Sequence, residues 1–214
     1  MILNNGSTDD TSRISNTAVS GAGLQRAELI YREYPWMDYS EAVRRAVLLA
    51  SGDMIVWLGV DIEDISSIGR GIRALSGSNA DLVILSKYRG ADWRPARRVA
   101  LNRTFNFLAR VFDGLWYSDI EGYMIIRSRV KPLFRFLGFS RGNTINLNLL
   151  FFAKKLGIRV AEAPFYVTEK RKSVFLRSLP RLMMLDLRSF LAIHSEFKRF
   201  AEMRSHRDSS IRKP

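Results

Sequence analysis

Met54-Ile55-Val56-Trp57-Leu58-Gly59-Val60-Asp61-Ile62-Glu63-Asp64 runs from five apolar residues directly into an acidic turn. A short, almost wholly apolar run is what a central strand of a parallel sheet requires, because helices cover both of its faces. Such a strand delivers Asp61 to the sheet edge. Upstream, Tyr39 to Ala50 places Ala42, Val43, Ala46, Val47 and Ala50 at helical spacing, and Ser51-Gly52 ends the helix. Downstream, Ile65 to Leu75 reads as a helix, Leu82 to Leu85 as a second buried strand and Val99 to Phe112 as a helix with an aromatic face. Strands alternating with helices on this scale signal an α/β domain with a central, mostly parallel sheet.

The pattern extends to both ends. Ile2-Leu3 is the stub of a strand, Ser7 or Thr8 is placed to cap a helix over Thr11 to Val19, and Glu28 to Tyr34 suits a further strand. Later come a strand at Tyr123 to Ile126, a helix from Ile145 to Leu156 stopped by Gly157, and a strand at Arg159 to Ala163. There are no repeats and no long linkers.

At 214 residues and 47% hydrophobic composition, the chain can bury a core of ordinary size as one domain plus an appendage. With no cysteine, disulfides and thiolate metal sites are excluded, and a cytoplasmic location fits. The two histidines, His194 and His206, both fall in the basic C-terminal stretch, which excludes a His-based triad or zinc site in the globular part. The net charge is +13, and the excess is uneven: from Lys170 onward there are twelve basic and four acidic residues. A field of that sign draws in polyanions such as anionic lipid headgroups, phosphorylated substrates or nucleic acid. The basic residues form no nucleic-acid recognition motif, so no nucleic-acid partner is expected. The longest apolar runs fall far short of the roughly 20 residues that span a bilayer, and Met1 leads straight into a polar turn. Neither a transmembrane helix nor a signal peptide is expected.

After Pro164 the character changes. Between Phe175 and Phe200, Leu176, Leu179, Met183, Leu187, Phe190, Leu191 and Phe197 share a helical face, with Arg177, Arg181, Arg188 and Lys198 elsewhere. This amphipathic segment suits either a membrane interface or packing on the domain's own sheet. Ser205 to Pro214 reads as a disordered basic tail.

Several motifs, in order, carry a resemblance. Asn4-Asn5-Gly6-Ser7-Thr8-Asp9-Asp10-Thr11 is similar to Asp-Asp-Gly-Ser-Thr-Asp-Gly-Thr, and Ala50-Ser51-Gly52-Asp53 through Asp61-Ile62-Glu63 is similar to Ala-x-Gly-Asp, an apolar strand and Asp-Ala-Asp-Leu-Gln. Ala80 to Tyr88 resembles Ala-Asp-Val-Val-x-Gly-Ser-Arg-Tyr, Ser118 to Tyr123 resembles Ser-Asp-x-Gln-x-Gly-Phe with one residue fewer before the glycine, and Glu162-Ala163-Pro164 matches Glu-Val-Pro. These are the motifs of family 2 glycosyltransferases, and the chain resembles the dolichyl-phosphate mannose synthase-like branch from residue 2 to about 175. The resemblance implies a GT-A fold, Rossmann-like, that binds a nucleotide diphosphate sugar. The first strand and helix of that fold are expected to be missing before Met1.

The resemblance assigns roles by position. Asn4, Asn5, Ser7 and Asp9 stand where the family binds base and ribose; a capped strand-helix turn is the alternative. Asn4 and Asn5 keep acceptor oxygens while losing the charge of the acids they replace. Asp61 and Glu63 alternate along extended backbone, so both carboxylates can face one crevice, and such hard oxygen ligands suit Mg²⁺ or Mn²⁺. Gly59 stands where the first Asp of the metal motif belongs. As an isolated feature this would be a solvated acidic loop. Lys87 and Arg98 match phosphate-facing cations, although Arg94, Arg97 and Arg103 compete with Arg98 for that position. Asp119 and Glu121 take the acceptor-side catalytic places, where a carboxylate could accept the acceptor's proton; the alternative is an Asp capping the turn before Gly122. Arg171, within Lys170-Arg171-Lys172-Ser173, falls where the family has a mobile loop over the diphosphate, or it belongs to a plain basic, membrane-facing loop.

The expected organisation is a glycosyltransferase domain over 1–170, a basic amphipathic segment over 171–204 and a tail over 205–214. The expected reaction is inverting, metal-assisted transfer of a hexose from a donor of the GDP-mannose or UDP-glucose type to a polyprenyl phosphate or related glycan acceptor, at the cytoplasmic face of an anionic membrane. The rival expectation is a non-catalytic descendant that binds a membrane or a partner enzyme.

Overall fold

The computed structural model describes residues 1–21, 31–35, 38–59, 64–167 and 175–211. Strands β1 (Ile2–Asn5) and β2 (Tyr31–Tyr34) pair in parallel, with helix α1 (Thr11–Gly21) between them in sequence. Helix α2 (Tyr39–Leu49) starts at Asp38, whose carboxylate accepts the Glu41 N–H at 2.9 Å, and it buries Val43 and Val47. Strand β3 (Met54–Trp57) follows, then helix α3 (Ile65–Gly77).

Strands β4 (Leu82–Asp92), β5 (Tyr123–Arg127) and β6 (Val160–Val167) join β3 in a second sheet of order β3-β5-β4-β6. Here β4 and β6 are parallel, while β5 runs antiparallel to both β3 and β4. The reversal of β5 departs from the parallel alternation read in the sequence. After helix α4 (Ala96–Asp113), residues 114–122 return to the middle of β4, where Ser118 and Asp119 bond Ser86 and Lys87, so β5 starts beside Leu85 and runs back. Periodicity carries no sign of this, because an apolar run buried on both faces reads alike in either direction.

Strand β4 extends well beyond the four residues its apolar run suggests, because its second half continues past a bulge. Ser86 pairs with Pro164 and Ala91 with Tyr166, so β4 advances five residues while β6 advances two. Residues 87–90 therefore leave the ladder. Gly90 makes this possible, since a Cβ there would collide with the Phe165 backbone.

Both faces of the second sheet are covered. Leu82, Ile84, Met124 and Ile126 face α2, two 3₁₀ segments (Ser128–Arg135 and Leu137–Phe139) and helix α5 (Ile145–Lys155). Val83, Leu85 and Ile125, with Ala163 and Phe165 of β6, face α3. Helix α6 (Phe175–Ile211) docks on α5, with Phe197 at 5.1 Å from Phe152 and Phe200 at 4.7 Å from Phe136, ring centre to ring centre. The amphipathic segment thus packs in part on its own domain through Phe190, Ile193, Phe197 and Phe200, while Leu187 and Leu191 stay exposed. The helix also continues past Ser205, where the sequence suggests a tail; no glycine or proline interrupts Phe190 to Ile211. No helix among the described residues is long and apolar enough to cross a membrane.

Candidate functional site

The turn after β1 closes on its own polar groups. Asn4 is buried; its amide donates to Ser12 Oγ at 2.9 Å and its carbonyl accepts the Ser7 N–H at 3.1 Å. Gly6 takes the positive φ of 70° that the turn needs. The start of α1 is capped by Asp9, not by Ser7 or Thr8: Asp9 Oδ1 accepts the Thr11 N–H at 3.0 Å and the Thr11 hydroxyl at 2.5 Å, and these bonds lower its pKa. Of the four residues assigned to base and ribose, Asn4 and Asp9 thus hold the turn's shape, Asn5 ends β1 opposite Tyr34, and Ser7 is exposed.

The β4 bulge and residues 118–122 form the buried polar cluster of the site. Asp119 is fully buried, and its Oδ2 accepts the Lys87 backbone N–H at 2.9 Å and the Lys87 ammonium at 2.7 Å. Its Oδ1 is buried with no hydrogen-bond partner among the described residues. Glu121, the second predicted catalytic carboxylate, accepts a hydrogen bond from Asn102 Nδ2, and Asn102 Oδ1 accepts one from the Tyr88 hydroxyl at 2.6 Å. Burial, reinforced by the charge of Asp119, pushes the Tyr88 phenol up to about 12.

Asn106, one turn after Asn102, accepts the Ile120 N–H at 2.9 Å and donates to the Ser118 carbonyl at 3.3 Å. From β6, Glu162 accepts the Ser118 N–H at 2.6 Å and the Ser118 hydroxyl at 2.8 Å, while its other oxygen takes Arg89 Nε at 2.6 Å. Three elements thus fix the 118–122 loop by charged or amide groups. Arg94, inside the Asp119 field, forms a two-bond fork to Asp92 at 2.8 Å; burial opposes its charge, but Asp92 outweighs that and raises its pKa. Arg98 is half-buried in the first turn of α4.

The structure therefore brings Lys87 and Asp119 into direct contact and sets Glu121 beside them through Tyr88 and Asn102. Asp61, Glu63 and Arg171 lie outside the described residues. The neighbouring Asp64 is committed: it caps α3 and pairs with Arg70 at 2.7 Å, and the bonds from Ser66 and Ser67 overcome burial to hold its carboxyl at about 2. The described residues contain no group of three His, Asp or Glu able to hold a metal. The Asp61 and Glu63 carboxylates have the oxygen chemistry that suits a hard divalent ion.

Sequence reading missed Asn102, Asn106 and Glu162 as parts of this site. The signal was available: Asn102, Asn106 and Asp113 lie at i, i+4 and i+11 of one helical face, a polar stripe inside a helix otherwise read from its aromatics.

The family model for Glycosyl transferase family 2 matches residues 1–131. The chain belongs to that family. Its GT-A, Rossmann-like α/β fold is shared with solved structures at low identity. Glucosyl-3-phosphoglycerate synthase from Mycobacterium tuberculosis in complex with UDP superposes with a TM-score of 0.63 at 19% identity, over 89% of this chain and 67% of that one. The same enzyme in complex with Mn²⁺, UDP-glucose and phosphoglyceric acid gives 0.63 at 20% identity, over 89% and 66%. A further mycobacterial protein gives 0.60 at 21% identity, over 89% and 62%. This family 2 chain thus spans about two thirds of the length of those structures. No curated protein matches it in sequence.

Proposed function

We propose that this family 2 domain transfers a hexose from a nucleotide diphosphate sugar, of the GDP-mannose or UDP-glucose type, to a polyprenyl phosphate at the cytoplasmic face of a membrane, with inversion. The observation that carries the reading is the buried Asp119, one oxygen fixed by Lys87 and the other unpartnered among the described residues, at the β4 bulge, just past the carboxyl edge of the run Leu82–Ser86 that pairs with β5 and β6. Ligands of open α/β sheets bind at that edge. An acceptor phosphate oxygen forms the new bond to the anomeric carbon as the bond from that carbon to the diphosphate breaks, and the nucleotide diphosphate leaves. The attacking oxygen is already anionic, so Asp119 positions Lys87 rather than removing a proton. The Lys87 ammonium, oriented by Asp119, offers its remaining donors to phosphate, with Arg98 and Arg171 as further cations. Asp61 and Glu63 would hold Mg²⁺ or Mn²⁺, which supplies neutralisation of charge on the departing diphosphate.

A second reading has support in the similar structures that contain phosphoglyceric acid or glycerol 3-phosphate beside UDP-glucose: a small phosphorylated acceptor in place of the lipid. The test is calorimetric titration of GDP-mannose and UDP-glucose with Mn²⁺ into the protein and into Asp61→Ala, followed by transfer of labelled hexose to polyprenyl phosphate or to phosphoglycerate. Donor binding that Asp61→Ala removes supports the enzyme. No heat at millimolar donor, or no effect of Asp61→Ala, leaves the non-catalytic module as the reading.

A further inference from the structure

Helix α4 is built inside out. Its inward face carries Asn102, Asn106 and Asp113, all buried, while Leu101, Phe107, Leu108, Val111 and Phe112 are exposed, Phe107 at 62% and Phe112 at 66%. Asn102 and Asn106 are accounted for by the 118–122 loop that they hold, and Asp113 by His194 of α6. Among the described residues nothing covers the apolar outer face. Trp116, just past the Gly114 cap, extends it at 80% exposure. Helix α6 lies alongside, with Phe190 at 5.5 Å from Phe105 and His194 at 3.1 Å from Asp113, and it adds exposed Leu187 and Leu191. Apolar side chains grouped in this way, rather than scattered singly, mark a contact surface.

The charge around the patch selects its occupant. From Ala96 to Phe112 there are four arginines and no acidic residue. Arg97 and Arg103 are exposed, and the Arg110 guanidinium sits 6.0 Å from the centre of the Trp116 ring. Two copies meeting through this face would set like charges together on a chain of net charge +13, and cores of protein interfaces are poor in charge. An apolar strip flanked by arginines and a tryptophan matches the boundary between acyl chains and anionic headgroups.

We infer that the outer face of α4, with Trp116 and the exposed leucines of α6, is the surface by which this chain docks on an anionic lipid bilayer. The inference deepens the membrane location in the proposed function, and its test uses neither donor nor acceptor, so its failure would be distinct from failure of sugar transfer. Phe107, Val111 and Phe112 enter the acyl boundary while Arg97, Arg103 and Arg110 meet phosphates. The surface adjoins the site through α4 itself, whose inner face holds Glu121 and Ser118.

The full chain is mixed with vesicles of phosphatidylcholine alone or with about 30% phosphatidylglycerol, and binding is read by flotation and tryptophan emission. The expected result is binding to the anionic vesicles with a blue shift that Trp116→Phe removes, and binding weaker by about tenfold or more for Phe107→Glu/Phe112→Glu and for Arg97→Glu/Arg103→Glu. All four positions are exposed, and Arg103 stands over the Tyr88 ring at 5.8 Å, so far-UV circular dichroism should match the parent and Tm should fall by no more than about 4 °C, which confirms folding. No binding to anionic vesicles, or binding that both double variants retain, overturns the inference. So does a concentration-dependent dimer that Phe107→Glu/Phe112→Glu abolishes, which would assign the face to a second copy.

Discussion

Removing the Asp119 carboxylate should be among the most damaging changes to stability, and the structure sets its size. Asp119 is fully buried and Lys87 is 7% exposed, so Asp119→Ala strands an ammonium away from water and also leaves the Lys87 N–H without its acceptor. Breaking a buried ion pair from one side costs about 3–5 kcal/mol, and with a urea m-value of about 3 kcal/mol/M the unfolding midpoint should fall by about 1–1.7 M. Lys87→Met should cost a similar amount, because it strands the carboxylate. The double variant removes both charges, so it should recover about 2–3 kcal/mol relative to the sum of the singles. What remains, about 4–7 kcal/mol, includes the unpaired Lys87 N–H, worth about 1–3 kcal/mol, and the packing lost with the two side chains. Because the pair is buried, the coupling should change little between low and high salt. Urea unfolding followed by circular dichroism measures all three variants. Single variants within about 0.5 kcal/mol of the parent, or an additive double, would refute the claim that this pair is a desolvated unit.

Asn106→Ala should destabilise by about 1–3 kcal/mol, since it leaves the Ile120 N–H and the Ser118 carbonyl unpaired; thermal unfolding checks this. Gly122→Ala should cost about 1–3 kcal/mol and weaken donor binding, because a Cβ would stand 2.5 Å from the Leu85 carbonyl oxygen and 2.8 Å from Ile84 Cγ2; paired calorimetry and unfolding measure both effects. Acid should weaken the fold. The Arg44 hydrogen bond is the largest influence holding Glu41 at about 2, and the bonds from Ser66 and Ser67 overcome burial to hold Asp64 at about 2, so their stabilisation is present above the unfolded carboxylate range near pH 4 and is lost as pH falls towards 2. Partial exposure limits this to about 1–2 kcal/mol, and Glu41→Gln should flatten the urea midpoint between pH 5 and pH 3, to about half its parental slope.

The α/β alternation was legible because Met54–Trp57 and Leu82–Leu85 are apolar runs too short for helices and too continuous for half-buried strands. The extent of β4 was not legible. Its second half, beyond Ser86, is polar and pairs with β6 only after a bulge, a long-range event that local pattern does not encode. The direction of β5 was hidden for a related reason: it depends on Ser118 and Asp119 meeting Ser86 and Lys87 across more than thirty residues. In the site, Asp119 and Lys87 stood out from their motif positions, but their contact was not visible there. A lysine and an aspartate so far apart in sequence carry no mark of being partners. The inward face of α4 was hidden in another way, since its phenylalanines drew attention and the helix in fact turns Phe107 and Phe112 outward.

The amide at Asn4 raises a sharper question, because the family pattern has an acid there. If the fold demanded an amide, the substitution would be a structural accommodation with no bearing on the donor. The geometry argues otherwise. Asn4 Oδ1 accepts the Ser7 N–H, which a carboxylate oxygen would do equally well, and the amide nitrogen donates to the Ser12 hydroxyl, a group that can also donate. An aspartate at position 4 would therefore have two donors in place, and Asn4→Asp should change stability by no more than about 1 kcal/mol. The turn thus accepts either residue, and the loss of the acid is a change in what the turn offers a ligand. Donor titration of Asn4→Asp should then shift the relative affinities for GDP- and UDP-sugars while the unfolding midpoint stays in place. A loss of more than about 3 kcal/mol in urea with unchanged donor preference would show the reverse, that Asn4 is retained to close the turn.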